Sequence, residues 1–250
     1  IGLKDYSRVK ILLTRPINDS VSTSNLLREF PIKPVILPFL EIKKNNYREF
    51  KLAKDNILVF TSKNAATFFK FKKEMKGILI LSVGTETKKI LQKKGFENII
   101  NVDGDLQKLL IVIKKYLNKT KKVYHLTSKT QNVELKKFFQ DFDCEYYAIK
   151  CYTSKMINVD KKKLISFMKE KKNNIISLYS TLSAKSFVKQ IIENDLEALC
   201  KNKNFIVISE KVKEELKKLG KLSIFIAKSP KQKRMIDLIR KITLMEEKIG

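Results

Sequence analysis

The chain is poor in the residues that build metal and redox sites. Its 250 residues include one histidine, His125, and three cysteines, Cys144, Cys151 and Cys200. No two cysteines form a C-x-x-C pair, and an odd, scattered set argues against a disulfide framework or a structural zinc. One histidine excludes metal sites and catalytic dyads built from several. Glycine (7) and proline (5) are too scarce for long flexible linkers. Apolar runs such as Ile57–Phe60 are far shorter than the ~20 residues that span a bilayer. The start, residues 1–15, has charges inside its apolar stretch and no small-residue cleavage site, so no secretory leader is expected. These absences together point to a soluble, cytoplasmic protein with reduced thiols, without membrane contact, metal or cofactor.

Several catalytic signatures are missing too. There is no G-x-G-x-x-G and no G-x-x-x-x-G-K-[ST], which removes the dinucleotide and P-loop readings. There is no G-x-S-x-G elbow of a hydrolase and no acidic cluster for magnesium. Acidic residues are in short supply, at 26 against 53 lysines and arginines, for a net charge of +27. Such a field draws polyanions. The lysines run along the whole chain and do not gather in one arm, which disfavours nucleic acid as the partner. Lysine far outnumbers arginine, and isoleucine and asparagine abound, so compositional drift competes with function as the source of the excess.

What is present is 43% hydrophobic residue, enough to bury a core, arranged as short apolar runs between charged helical segments. Strands are expected at 9–13, 34–39, 56–60, 78–83, 122–126, 145–150, 175–179, 205–208 and 224–227. Helices are expected at 19–30, capped by Asp19 or Ser20, and at 64–73, 86–94, 106–117, 133–142, 161–171, 183–194, 212–219 and 232–247. Gly95 and Gly220 close two of them. Regular β-α alternation with continuous apolar strands implies parallel sheets covered on both faces. An internal repeat divides the run. Residues 59–69 resemble 178–188, aligning Thr61 with Ser180, Ser62 with Thr181 and Asn64 with Ser183. Residues 84–91 with Gly95 resemble 209–216 with Gly220. Two copies in the same order suggest two similar domains.

Ligands of such sheets bind beyond the carboxyl ends of the strands. There the chain places Thr14-Arg15, Thr61-Ser62, Gly84-Thr85, Thr127-Ser128, Ser180-Thr181 and Ser209. Each hydroxyl precedes a helix start, where free N–H groups and the helix dipole favour anions. Plain N-capping is the competing role for any one loop. Six together suit a carboxylate or phosphate ligand. Arg15 is placed to pair with an anion or in a salt bridge. His125, at a strand end, is assigned a structural or solvent-facing role.

The order of these motifs resembles the uroporphyrinogen-III synthase family. The opening Leu13-Thr14-Arg15-Pro16 is similar to that family's strand-then-Thr-Arg-Pro start. Pro38-Phe39-Leu40-Glu41-Ile42 resembles its proline-led connecting strand, and Phe60-Thr61-Ser62-Lys63-Asn64-Ala65 its Phe-Thr-Ser-x-Asn-Ala segment. Val83-Gly84-Thr85-Glu86-Thr87 resembles its Gly-x-x-Thr helix start. Cys151-Tyr152-Thr153 resembles its Tyr-x-Thr return strand. Ser180-Thr181-Leu182-Ser183-Ala184 and Ser229-Pro230 stand at its last two segments. The second helix start departs from the pattern: Lys211 and Val212 replace two threonines, and Thr181 replaces a serine.

The resemblance implies two flavodoxin-like, doubly wound parallel-sheet α/β domains joined by a two-stranded antiparallel connection, with the active site in the cleft between them. The discontinuous domain is expected at 1–38 plus 154–250, the inserted one at 43–146, and the connection at 39–42 and 147–153. It implies a cofactor-free, monomeric lyase of tetrapyrrole (haem) biosynthesis. Hydroxymethylbilane, a linear polycarboxylate, would lose water and close to uroporphyrinogen III with ring D inverted. Tyr152 is the implied general acid. Thr14, Arg15, Thr61, Ser62, Gly84, Thr85, Thr87, Thr127, Ser128, Ser180, Thr181 and Ser183 are the expected substrate contacts, with Lys211 taking over from the lost threonines. The rival classes are a basic nucleic-acid-binding module and a non-catalytic two-lobed anion-binding protein.

Overall fold

A computed structural model describes residues 9–102, 106–117, 122–128, 133–142, 144–170 and 174–249. The chain opens with β1 (Val9–Leu13), α1 (Ile17–Leu26), β2 (Ile32–Ile36) and β3 (Leu40–Lys44). It continues with β4 (Ile57–Phe60), α2 (Lys63–Phe68), β5 (Leu79–Val83), α3 (Thr85–Lys93) and β6 (Ile99–Val102). Then come α4 (Leu106–Leu117), β7 (Lys122–Thr127), α5 (Val133–Gln140), β8 (Glu145–Lys150) and β9 (Tyr152–Met156). The last third holds α6 (Lys161–Lys169), β10 (Ile175–Leu178), α7 (Thr181–Ile192), α8 (Glu197–Cys200), β11 (Asn204–Val207), α9 (Glu210–Leu216), β12 (Ser223–Ile226) and α10 (Gln232–Ile249).

The chain divides into two compact units, one of residues up to 41 together with 155 onward, the other of residues 42–154. The first contains a five-stranded sheet in the order β2-β1-β10-β11-β12, every pair parallel. The second contains a five-stranded parallel sheet ordered β6-β5-β4-β7-β8. Counted along the chain, the first order is 2-1-3-4-5, that of a flavodoxin-like sheet. Counted instead from β10, it becomes 3-2-1-4-5, the order of the second sheet. The internal repeat is therefore a circular permutation: β4-α2 matches β10-α7, and β5-α3 matches β11-α9. A third sheet, β3 with β9, is a two-stranded antiparallel ribbon.

Alternation along each strand explains how one apolar run fills two cores. Successive side chains leave a strand on opposite faces. In β1, Leu12 joins one buried cluster while Ile11 and Leu13 join another. In β4, Leu58 and Phe60 enter the cluster with Phe69 and Leu91, whereas Ile57 and Val59 enter that of Leu109 and Phe139. A strand buried on both faces needs continuous hydrophobicity, which is why these runs are unbroken.

Some expected elements differ. Helix α1 begins at Ile17 behind Pro16 and has no side-chain cap. Asp19 and Ser20, expected to cap it, lie inside it. Ser20 is buried and its Oγ donates to the Arg15 carbonyl at 2.9 Å. The helix expected at 64–73 stops at Phe68, because Phe69 turns extended and packs edge-on against Phe60, 5.5 Å between centroids. Lys94 Nζ then donates to the freed carbonyl of Phe69 at 2.6 Å. A short 3-10 turn, Lys73–Met75, follows. The strand expected at 34–39 lies at Ile32–Ile36 with Pro34 inside it, which is tolerated because β2 ends its sheet. Strand β6 was not anticipated. Residues 147–150, expected in the connection, belong to β8 and pair with β7 from Lys122↔Glu145 to Thr127↔Lys150. The return strand starts only at Tyr152. The helix expected at 161–171 ends at Lys169, with Glu170 extended behind it, and residue 171 lies outside the described residues.

Candidate active site

Each sheet has a switch point where the connections leave in opposite directions, and the loops there flank a crevice. In the second unit it falls between β4 and β7. Thr61 and Ser62 follow β4; Thr127 ends β7 and Ser128 follows it. Ser62 caps α2, its Oγ accepting from the Asn64 backbone N–H at 3.2 Å. The Tyr152 hydroxyl donates to the same Oγ at 3.0 Å. Tyr152 is 7% exposed, with Phe68 beside its ring. The Thr127 carbonyl accepts from the Cys151 backbone N–H at 3.0 Å, which ties the end of β7 to the residue before Tyr152. The structure thus joins Thr61-Ser62, Thr127 and Tyr152 in one locus.

Thr61, one residue before Ser62, serves the opposite face. Its Oγ1 lies 2.8 Å from His125 Nε2, and His125 Nδ1 lies 2.9 Å from the Tyr146 hydroxyl. His125 is 2% exposed. Burial lowers its pKa from 6.5 to about 4, so the imidazole is neutral at pH 7. Burial pushes the Tyr146 phenol up, so that group is neutral as well. The structural role expected of His125 is compatible with this burial; a solvent-facing one is not. No local pattern joins Tyr146, near the start of β8, to His125, near the end of the adjacent β7.

Gly84 forms the N-cap of α3 with φ +88° and ψ 143°, a conformation that only glycine adopts easily. Its backbone N–H donates to the Val102 carbonyl at 3.3 Å. Thr85 is exposed at the first helical position, whereas Thr87 is buried at 4% within the helix.

In the first unit the switch point lies between β1 and β10. Thr14 is fully buried and its Oγ1 donates to the Ser177 carbonyl across the strands at 2.7 Å. Arg15 is held on three sides: by Asp19 at 3.4 Å, by Thr23 at 3.2 Å, and by the Tyr179 ring 4.3 Å below the guanidinium. Asp19 offsets its charge. Ser180 caps α7 by accepting from the Ser183 N–H at 3.1 Å, and its hydroxyl donates to Ser183 Oγ at 3.1 Å. Thr181 opens the helix, half-buried; Ser183 is buried. Ser209 is the N-cap of α9 without a side-chain bond, and Lys211 is exposed in its first turn.

Among the described residues, no three His, Cys, Asp or Glu side chains group as metal ligands. Among them, no helix is long and apolar enough to cross a membrane.

The chain is similar in fold to a uroporphyrinogen-III synthetase from Helicobacter pylori, at 20% identity and TM-score 0.60, over 94% of this chain and 99% of that one. It is similar also to a mutant uroporphyrinogen III synthase from Thermus thermophilus, at 10% identity and TM-score 0.51, over 95% and 99%. No curated protein matches the chain. The family model described as uroporphyrinogen-III synthase HemD matches residues 21–237, a span that includes every strand of both sheets except β1 and the Thr14-Arg15 loop after it. With that match running through both sheets and the β3–β9 ribbon, the chain belongs to the uroporphyrinogen-III synthase family.

Proposed function

We propose that this chain is a uroporphyrinogen-III synthase, which takes hydroxymethylbilane as substrate and closes it, without a cofactor, to uroporphyrinogen III. The observation that carries this reading is the family match over residues 21–237, together with Tyr152 hydrogen-bonded to Ser62 at a switch point. The bilane loses its terminal hydroxyl as water, leaving an azafulvene cation. This attacks ring D at its substituted carbon, and the spiro intermediate breaks and recloses with ring D inverted. The cation is reactive on its own, so the protein's main task is to hold the chain in the geometry that favours inversion.

Tyr152 is the proposed general acid for loss of the hydroxyl. Its proton reaches the leaving oxygen directly or through Ser62: as the phenol gives its proton to Ser62 Oγ, the serine hydroxyl passes its own onward. Thr61, Thr85, Ser128 and Thr181 are proposed to donate to substrate carboxylates from helix starts and strand ends, with Ser62 donating when it is not relaying the proton and Ser180 turning its hydroxyl from Ser183 Oγ to do the same. Thr14, Thr87 and Ser183, buried with their strands and helices, are proposed to shape those loops. Thr127 is proposed to contact substrate and to steady the Cys151-Tyr152 step. Gly84 gives the bend that lets backbone approach an anion. Arg15 has its charge offset by Asp19, and is proposed as a rigid donor and not as a free cation. Lys211 is proposed as the mobile charge that grips the substrate's rim.

The reading is tested by incubating the purified protein with fresh hydroxymethylbilane, oxidising the product and separating the porphyrin isomers. Type III in excess of the no-enzyme control supports it; type I alone discards it.

A further inference from the structure

The only histidine of the chain lies in a chain of three hydrogen-bonding groups, Tyr146–His125–Thr61, that runs from the edge strand β8 through β7 to the end of β4. Resting on the function proposed above, we propose that His125 is a positioning residue: its Nδ1 accepts a hydrogen bond from the Tyr146 hydroxyl, its Nε2–H donates to Thr61, and the Thr61 hydroxyl is thereby turned outward as a donor for a substrate carboxylate.

The polarity follows from the chemistry of the groups. A neutral imidazole has one donor and one acceptor nitrogen, and the partner at one fixes the role of the other. The chain can therefore run in two directions. Either Tyr146 donates to Nδ1 and Nε2–H donates to Thr61, or Thr61 donates to Nε2 and Nδ1–H donates to Tyr146. Each leaves one hydroxyl proton over, on Thr61 in the first and on Tyr146 in the second. A phenol is the strongest neutral donor of the three and a poor acceptor, and the bare imidazole nitrogen is the strongest acceptor. The first direction joins these two. It also leaves the spare proton on Thr61, at the carboxyl end of β4 beside the Ser62–Tyr152 pair, where an acceptor-only carboxylate can take it. The second leaves that proton on a phenol partly withdrawn from water.

The permuted repeat shows that the fold itself does not require histidine here. His125 stands opposite Val59 of β4. Matching the helix caps Ser62 and Ser180 sets Ser177 at the place of Val59, and its partner across the strands, the buried Leu13, at the place of His125. The second unit has in its place a ring that links two hydroxyls.

One histidine makes the test direct. In protein labelled with ¹⁵N-histidine the imidazole gives a single pair of nitrogen signals. The proposal expects the Nε2–H tautomer, with Nδ1 unprotonated; an Nδ1–H tautomer overturns it. His125→Leu removes both bonds and should raise KM for hydroxymethylbilane about fivefold, the worth of one ordinary hydrogen bond, with kcat within about twofold. His125→Gln keeps a donor at one end and an acceptor at the other, and should restore most of that loss. A leucine variant that folds and shows wild-type KM overturns the proposal, as does a glutamine variant no better than leucine. If the wild-type protein fails to cyclise the bilane, the function proposed above falls, while the tautomer still decides the direction of the chain.

Discussion

Replacing His125 by glutamine should change how the protein responds to acid, by an amount the burial of the ring sets. The imidazole is 2% exposed and its pKa falls from 6.5 to about 4, the cause being desolvation of the charged form. Its pKa is depressed in the folded protein, so the unfolded chain binds a proton first. The stability tied to the neutral ring is therefore fully present above pH 6.5 and is lost as pH falls towards 4. Each unit of pKa difference corresponds to about 1.4 kcal/mol. By pH 5 the unfolded ring is almost wholly charged and the folded ring almost wholly neutral, and the loss relative to pH 7 amounts to about 2 kcal/mol. Domain stabilities are roughly 5–15 kcal/mol, so this is measurable. The groups facing the ring are the Thr61 and Tyr146 hydroxyls, and neither titrates in that window. Urea unfolding of the wild type and of His125→Gln at pH 7 and pH 5 isolates the effect, since other titrating groups cancel in the difference. Wild type should lose about 2 kcal/mol more than the variant over that interval. Equal losses would refute the neutral, buried ring, and with it the proton polarity inferred for Thr61.

Further outcomes are expected from three substitutions. Tyr152→Phe removes the proton while keeping the ring against Phe68, and should slow turnover by about ten- to a hundredfold with little change in unfolding midpoint; a rate within about twofold of wild type would make Tyr152 structural. Lys211→Ala should raise KM about tenfold or more, the worth of a charge-assisted contact of roughly 1.5–3 kcal/mol, without altering the isomer ratio; an unchanged KM would reduce Lys211 to a solvated helix-start residue. Gly84→Ala meets no atom within 4 Å, yet must hold φ +88°, so it should cost about 1–3 kcal/mol in urea unfolding through backbone strain alone; a neutral result would mean that the loop relaxes to another bend.

Much of the fold was legible because parallel strands buried on both faces must be continuous apolar runs. The strand at 9–13, the helix at 106–117 and the strand at 145–150 have the expected bounds. Errors arose where tertiary packing overrode local signals. Phe69 suits a helix by pattern but turns out of it to pack on Phe60. Pro34 reads as a strand start but lies within an edge strand. Strand β6 has its short apolar run broken by Asn101, which is satisfied by the Ser82 hydroxyl of the neighbouring strand, a pairing that no local pattern signals. The two copies of the repeat were visible, whereas their permutation was not, because only the pairing of β1 with β10 reveals it. At the candidate site the hydroxyl loops could be read from their place after strands. Which hydroxyls turn inward could not: Thr14, Thr87 and Ser183 are buried, while Thr61 and Ser62 are half-buried. The link from His125 to Tyr146 depends on the β7–β8 register, which no local pattern encodes.

The most direct test of the account is the type III fraction of porphyrin formed from a fixed amount of hydroxymethylbilane as protein concentration rises. Spontaneous closure gives type I, so a uroporphyrinogen-III synthase must drive type I down and type III up until type III accounts for nearly all product. That rise is the predicted result, reached at lower concentration by the wild type than by Tyr152→Phe. A product mixture that stays type I at every concentration, from protein shown to be folded, would contradict the account.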